Sequence, residues 1–356
     1  MEIIFVCTRS ITFNTFLKSQ AKYLLKKGYK VKVVCSDIEN LHFDKSLAFK
    51  VNFPTGYTSS INIFKYYKIY LQIKEIINKN KLSIFYLHTP VASFIFRFFS
   101  FFDNLKILYF VHGFRFTKNS NFIFSLFFKT IEKVLSTNTN IYITINDEDF
   151  NFANNFFEKK LIYKINGVGL DIKKLDLNKF KKKEGIKKIL VIGAYKKSKG
   201  YLDYLEIAKF LNKKKFIIDC FGYGEKYKYI NLKTKNKLNN ISFNNFDENL
   251  KNKIETYDIL LHLSKREGLP VSVMESLARG LPVICKKIRG NEDLIDNGKN
   301  GFFIKSNKDA ANKIFFLDLN KEFFNNMRFN AYKSINKNFS KQSINNKIYK
   351  IIKKHF

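Results

Sequence analysis

Ser264-Lys-Arg-Glu-Gly-Leu-Pro-Val-Ser-Val-Met-Glu-Ser-Leu-Ala-Arg-Gly-Leu-Pro-Val283 is the stretch from which the fold is most readily read. An apolar run, Ile259 to Leu263, leads into it as a strand. Gly268 permits a tight turn, and Pro270 suits the first position of a helix. Along that helix Val271, Met274, Leu277 and Ala278 form an apolar stripe, and Ser272, Glu275, Ser276 and Arg279 a polar one. A second apolar run follows at Pro282 to Cys285. A strand, a loop, a helix and another strand in this order form one unit of a parallel α/β sheet.

The same alternation extends in both directions. Upstream, strands are expected at Ile3 to Val6, Val31 to Cys35, Ile84 to Leu87, Ile107 to Val111 and Ile141 to Ile145. The first two are joined by a helix with Phe13, Phe16, Leu17, Ala21 and Leu24 on one face and Lys18, Lys22 and Lys26 on another, closed by Gly28 in a left-handed cap. The turn residues Asn166-Gly-Val-Gly-Leu-Asp171 end this series. Asp171 to Lys188 is polar and Lys-dense and reads as a linker. A second series begins at Ile189 to Gly193 and continues through Phe216 to Cys220, the quoted unit and Phe302 to Ile304. The expected class is α/β with two Rossmann-like doubly wound domains facing across a cleft. Residues 1–172 form the first domain, 173–188 the linker and 189–339 the second domain, and a terminal helix at 340–356 packs back on the first. Ligands of such folds bind at the carboxyl ends of the strands.

Composition limits the alternatives. With 40 Phe and 19 Tyr in 356 residues, general disorder is excluded despite a net charge of +34. The charge is spread, with 23 basic and 12 acidic residues in 1–172 and 41 and 18 in 173–356. Only seven of the cations are Arg, the residue suited to bidentate base and phosphate reading. A nucleic-acid partner is therefore not expected, and the lysine excess reads as genomic bias with a secondary use against an anionic membrane. Cys7, Cys35, Cys220 and Cys285 end apolar runs, lack C-x-x-C spacing and read as buried thiols. Met1 to Cys7 lacks a secretory leader. Ser83 to Phe102, the closest approach to a span, parses as a strand, a turn at His88-Thr89-Pro90 and a buried helix. The Phe runs Phe94 to Phe102 and Phe122 to Phe128 read as helical core, with contact of these runs and of the Lys18, Lys22 and Lys26 stripe with anionic lipid as the alternative. A cytoplasmic protein is expected, peripheral on the inner face of the membrane.

The chemistry concentrates in the quoted stretch. The amides at Leu269 to Val271 and the helix dipole suit a diphosphate. Glu267 in the loop and Glu275 a turn inside the helix, being repelled by phosphate, suit sugar and ribose hydroxyls. His112 ends an apolar strand before Gly113, at the edge of the first sheet. His88 also ends a strand and, with Arg9 and Arg115, is a candidate for the acceptor side, whereas His42, His262 and His355 read as structural or surface residues. Asp147-Glu-Asp149 looks like an acid-rich helix start rather than a metal motif. No cluster has metal-ligand spacing, so no cofactor and a metal-independent reaction are expected.

Glu267 and Glu275 with seven residues between them, Gly268-Leu-Pro270 after the first and Ala278-Arg-Gly-Leu-Pro-Val283 after the second resemble the donor-binding motif of glycosyltransferase family 4, retaining enzymes of the GT-B fold. Phe110-Val-His-Gly-Phe114, Asn166 to Asp171, Gly193 to Gly200 and Arg289 to Gly301 follow the family's order. The resemblance implies that Glu275 binds the ribose, Glu267 and His112 contact the transferred sugar, and Lys199 neutralises the diphosphate, with Gly193, Gly268, Leu269, Pro270 and Val271 completing the donor site. The chain departs from the family where Ala194-Tyr195 replaces the Arg after Gly193, leaving Lys196 or Lys197 to substitute, and where Thr8 to Thr12 contains no glycine. The implied reaction moves a hexose or N-acetylhexosamine from a UDP-sugar to an oligosaccharide or lipid-linked acceptor, as in the enzymes that build capsule, lipopolysaccharide or exopolysaccharide. A non-hydrolysing sugar-nucleotide epimerase shares the fold, but Glu267 in its Gly-Leu-Pro setting and Lys199-Gly200 favour transfer. A non-catalytic nucleic-acid or anionic-surface binder is the rival from another class.

Overall fold

The computed structural model describes residues 1–54, 63–172, 183–211, 215–335 and 337–356. Residues 173–182, most of the expected linker, lie outside that set. The chain divides into two compact units, Met1–Gly169 with Lys341–Phe356, and Leu170–Ser340.

The first unit is built on β1 (Glu2–Val6), β2 (Lys30–Cys35), β3 (Ala48–Lys50), β4 (Ile84–Leu87), β5 (Lys106–Val111), β6 (Ile141–Thr144) and β7 (Leu161–Lys164). Their order across the sheet is β3-β2-β1-β4-β5-β6-β7, with parallel pairing throughout. The inner strands are apolar on both faces, because helices cover both, and Ile3, Ile4, Phe5 and Val6 have no exposure. The first helical segment is not one regular helix: Phe13–Leu17 is a π-helical stretch between Ser10–Thr12 and Lys18–Lys26. Phe13, Leu17, Ala21 and Leu24 are still its buried face, and Gly28 caps it at φ +85°. The helix Lys341–His355 is part of this unit, with Tyr23 Oη donating to Asn346 Oδ1 at 3.2 Å and Tyr163 Oη 2.6 Å from His355 Nε2.

The second unit carries β8 (Lys188–Ile192), β9 (Ile217–Gly222), β10 (Ile241–Asn245), β11 (Ile259–His262), β12 (Val283–Lys286) and β13 (Gly301–Ile304), in the order β10-β9-β8-β11-β12-β13. Residues 183–187, expected as linker, are tied into it. Ile186 is fully buried, its N–H donates to Asp318 at 3.1 Å, and the Lys187 and Lys188 amides donate to Asp258 at 2.7 and 2.8 Å. All four cysteines are buried and free. Asn146 caps Asp147–Phe156 by accepting from Asp149 N–H, so Asp147, Glu148 and Asp149 do form an acid-rich helix start.

The Phe runs need a correction. Pro90–Phe99 and Phe122–Ser136 are helices; Phe96 is core, as expected, but Phe94, Phe98, Phe102, Phe122, Phe124 and Phe127 are exposed. Among the described residues no helix is long and apolar enough to cross a membrane.

Candidate functional site

In both units the strand order reverses beside a central strand, between β1 and β4 and between β8 and β11. Loops leaving the carboxyl ends of such a pair diverge to opposite faces and open a crevice. Each unit carries a cluster of the expected residues there.

In the Leu170–Ser340 unit the loop after β8 meets the loop after β11. Lys265 N–H donates to the Ser198 carbonyl at 2.8 Å, and Leu263 N–H donates to Tyr204 Oη at 2.8 Å. Gly200, at φ +79°, allows the contact: a Cβ there would lie 2.5 Å from the Leu263 carbonyl oxygen. This seam brings Lys199 and Glu267 into a direct ion pair through Nζ and Oε1. His262, the last residue of β11 and 3% exposed, places Nε2 3.5 Å from the same Oε1. Burial opposes ionisation of Glu267, but the His262 contact and the charges of His262 and Lys199 prevail and hold the carboxyl at about 2. Glu267 is therefore an anion at every physiological pH. Its carbonyl accepts from Arg289 Nε at 2.9 Å, and Gly290 lies against Gly268 so closely that a Cβ would fall 2.3 Å from the Gly268 oxygen.

Glu275 follows inside the helix Val271–Leu277, its side chain mostly buried and its Oε1 3.1 Å from Lys251 Nζ. This helix departs from expectation in two ways. It has only seven residues, and Pro270 is its N-cap. Pro270 has no N–H, so Leu269 and Val271 are left as the amides of the expected Leu269 to Val271 cradle. Ser276, expected on the polar stripe, is fully buried, as is Val273. Gly193 accepts from Tyr201 Oη at 2.5 Å and lies under Gly222, where a Cβ would sit 1.9 Å from the Gly193 oxygen. The position where the family has Arg holds Ala194 and Tyr195. Tyr195 turns inward, its Oη bonded to the Cys220 and Asn244 carbonyls at 3.0 and 2.5 Å. Lys196 and Lys197 are exposed beside it.

In the Met1–Gly169 unit, His88 Nδ1 lies 3.1 Å from His112 Nε2. His88 is fully buried, with its ring stacked at 5.7 Å and 2° on Phe5. Burial lowers its pKa well below the usual histidine value, with the His112 charge adding to the effect, and desolvation lowers His112 to about 4. Both rings are neutral at pH 7. Thr89, beside His88, is a β-branched residue at φ +63°, a strained conformation. Its Oγ1 accepts from Thr8 N–H at 3.0 Å and ties β4's end to β1's. Arg9 is more than half exposed and pairs with Asp37 at 3.5 Å. It lines a cavity of about 520 Å³ with Ser36, Asp37, Asn52, Phe53, Lys65 and Lys68. The Arg115 guanidinium stacks on Phe128 at 5.0 Å. His42 is exposed, as expected.

His262, Arg289 and Thr89 were not expected as site residues. The signal for His262 was its place at the end of β11, five residues before Glu267, and a polar residue closing an apolar strand at the switch point merits that reading. Among the described residues no group of three or more His, Cys, Asp or Glu side chains could hold a metal ion.

Residues 173–334 match the family described as glycosyl transferases group 1, and residues 3–146 the family described as glycosyl transferase 4-like. Among curated proteins, the chain is 26% identical over 329 residues to the putative glycosyltransferase EpsD of Bacillus subtilis (strain 168), covering 87% of this chain and 85% of that one. It is 24% identical over 307 residues to the UDP-Gal:alpha-D-GlcNAc-diphosphoundecaprenol alpha-1,3-galactosyltransferase of Escherichia coli, covering 80% and 78%. Among solved structures, Anabaena Alr3699/HepE in complex with UDP and glucose superposes with a TM-score of 0.77 at 16% identity, over 99% of this chain and 100% of that one.

Proposed function

We propose, from the premise that this chain belongs to the family 4 type of glycosyltransferases with the GT-B fold, that it transfers a hexose or N-acetylhexosamine from a UDP-sugar to a lipid-linked glycan with retention of configuration. The observation that carries the donor half is the Lys199–Glu267 pair at the β8/β11 switch point, with Glu275 one turn beyond. One cation and two carboxylates there match a nucleotide sugar group by group. Lys199 meets the diphosphate, Glu267 the sugar hydroxyls and Glu275 the ribose. In the free protein Glu267 holds Lys199 in place, and a diphosphate arriving at this position competes for the ammonium and frees the carboxylate for the sugar.

In the reaction, an acceptor hydroxyl oxygen forms a bond to the anomeric carbon while the bond from that carbon to the diphosphate oxygen breaks on the same face. The hydroxyl proton passes to a phosphate oxygen of the donor, so the chain supplies no base. Lys199 and the Leu269 and Val271 amides stabilise the departing diphosphate without a metal ion. Neutral His112 donates or accepts a hydrogen bond at the transferred sugar. Support for UDP comes from the names of the Escherichia coli relative and of the Anabaena complex, and support for a lipid diphosphate acceptor from the former. Lys65 and Lys68, in the cavity that Arg9 lines with its partner Asp37, supply cations suited to the acceptor's phosphates. Such a carrier places the enzyme at the inner face of the cytoplasmic membrane, in the assembly of a surface polysaccharide.

The test is a thermal-shift and turnover screen over nucleotide sugars, with an oligonucleotide as the competing ligand. UDP is expected to stabilise the wild type. Glu275→Ala should weaken UDP binding by about tenfold or more, the cost of removing a hydrogen bond to a charged group, and Glu267→Ala should lower transfer chiefly through kcat. Normal turnover in both variants, or stabilisation by the oligonucleotide and not by UDP, overturns the reading.

A further inference from the structure

We propose that the outer face of the helix Phe122–Ser136, with the adjoining faces of Pro90–Phe99 and Ile63–Lys79, is an interfacial surface that seats the N-terminal unit on an anionic lipid bilayer. This deepens the reading of a lipid-linked acceptor and takes its purpose from it. The observations that carry it are independent of the donor site.

Phe122–Ser136 is turned inside out. Phe122, Ile123, Leu126 and Phe127 are 76, 77, 53 and 59% exposed, and Val134 continues the same face, whereas the helix buries Ser125, Glu132 and Ser136 beside a single leucine, Leu135. An ordinary surface helix does the reverse. The cause is a buried ion pair. Arg97, fully buried on the neighbouring helix, donates through Nη2 to both Glu132 carboxylate oxygens at 3.1 and 2.9 Å. It also donates through Nη1 to Tyr142 Oη at 3.3 Å and lies over the Tyr109 ring at 4.4 Å. Rotating the helix to hide its phenylalanines would leave a guanidinium without its carboxylate in the core. The apolar face is thus locked outward.

The neighbouring helices extend that face. Phe94 and Phe98 are exposed on Pro90–Phe99 with their rings stacked at 6.1 Å, Phe102 is 95% exposed, and Phe64, Tyr67 and Leu71 are exposed at helical spacing on Ile63–Lys79. Pro90–Phe99 packs against both of the other helices, and Tyr70, Phe99 and Phe98 link its aromatic face to that of Ile63–Lys79 through ring contacts at 5.5 Å. Exposed aromatic faces on three neighbouring helices mark a docking site.

Charge selects the occupant. Residues 63–136 contain eleven basic residues and three acidic ones. Each acid is already ion-paired inside the segment: Glu75 with Lys79, Asp103 with Lys74, and Glu132 with Arg97. The segment that carries the exposed aromatic faces thus has a net charge of +8, eleven basic less three acidic residues. A second copy of this chain would meet it with like charge, whereas an anionic bilayer supplies both the opposite charge and an apolar layer for the phenylalanines. No helix among the described residues spans a membrane, so the mode is shallow insertion. The lysines expected to serve this purpose lie on another helix, where Lys22 and Lys26 are exposed and Lys18 is not fully so.

The test is co-sedimentation of the full chain with vesicles of phosphatidylcholine alone and of phosphatidylcholine with phosphatidylglycerol, at low and high salt. The wild type should bind the anionic vesicles, more tightly at low salt. Phe122→Ser with Phe127→Ser should weaken binding by at least about tenfold, Lys22→Glu with Lys26→Glu should bind to within about twofold of wild type, and both variants should keep the UDP thermal shift, which shows them folded. A wild type that stays in the supernatant, a Phe variant that binds as well as wild type, or a wild-type oligomer dispersed by Phe127→Ser overturns the proposal. Vesicle binding without a UDP shift would leave the surface standing and refute the donor reading alone.

Discussion

Glu267→Gln replaces the carboxylate by its neutral isostere and so isolates the worth of its charge. In the folded chain the carboxyl is held at about 2, against an ordinary value of 4.5. That difference amounts to about 3 kcal/mol at 25 °C, taking about 1.4 kcal/mol per pH unit. Because the folded-state value is the lower one, the stabilisation is complete above the unfolded value and is lost as pH falls toward the folded one. At pH 7 the wild-type Leu170–Ser340 unit should exceed Glu267→Gln by about 3 kcal/mol, a shift of roughly 1–2 M in urea midpoint. At pH 3, between the two values, the gap should shrink to about 1 kcal/mol. Neither Tyr nor Phe needs to be engineered for the assay, and with no Trp in the chain far-UV circular dichroism is the natural probe. Lys199→Met should remove part of the same gap, since its ammonium is one of the groups holding the charge. Equal midpoints at pH 7, or a gap undiminished at pH 3, would refute the account of Glu267 as a buried anion held by Lys199 and His262.

Gly200→Ala combines a left-handed φ with a Cβ 2.5 Å from the Leu263 oxygen. It should destabilise the unit by about 1–3 kcal/mol and weaken UDP binding, as read by chemical denaturation and thermal shift, because it opens the seam that joins Lys199 to Glu267. Arg97→Met should cost about 3–5 kcal/mol by stranding Glu132, and adding Glu132→Leu should restore most of it; urea unfolding measures both. Burial raises the pKa of Cys7, Cys220 and Cys285, and that of Cys35 to about 11. A disulfide reagent at neutral pH should therefore leave the native thiols unmodified and titrate all four only after denaturation.

The parallel α/β reading was legible because inner strands such as Ile3 to Val6 and Ile259 to Leu263 are unbroken apolar runs, a signal independent of tertiary detail. The strands that escaped it are those whose contacts alone define them. Ala48–Lys50 is a three-residue edge strand, Leu161–Lys164 is half-exposed at the other edge, and Ile241–Asn245 ends in two Asn. The Phe helices were misjudged for a related reason. An amphipathic pattern states that a helix has an apolar face but not which way the face points, and here Arg97, distant in sequence, decides it through Glu132.

The same distinction separates the two candidate clusters. Glu267, Gly268, Pro270 and Glu275 come from one loop and the helix after it, so their spacing in sequence nearly determines their spacing in space. Only Lys199 had to be brought from another strand end. The N-terminal cluster is assembled from three strand ends, at Thr8, His88 and His112, and no short motif encodes the His88–His112 contact or the strained Thr89 that fixes it. A neutral histidine pair requires a dry site more than it requires any particular neighbour in sequence. What determines it is the packing of Phe5, Tyr86 and Phe110 around the His88 ring, and that packing follows from strand order. The chemistry of the donor side is therefore written locally in this chain, whereas that of the N-terminal cluster depends on topology.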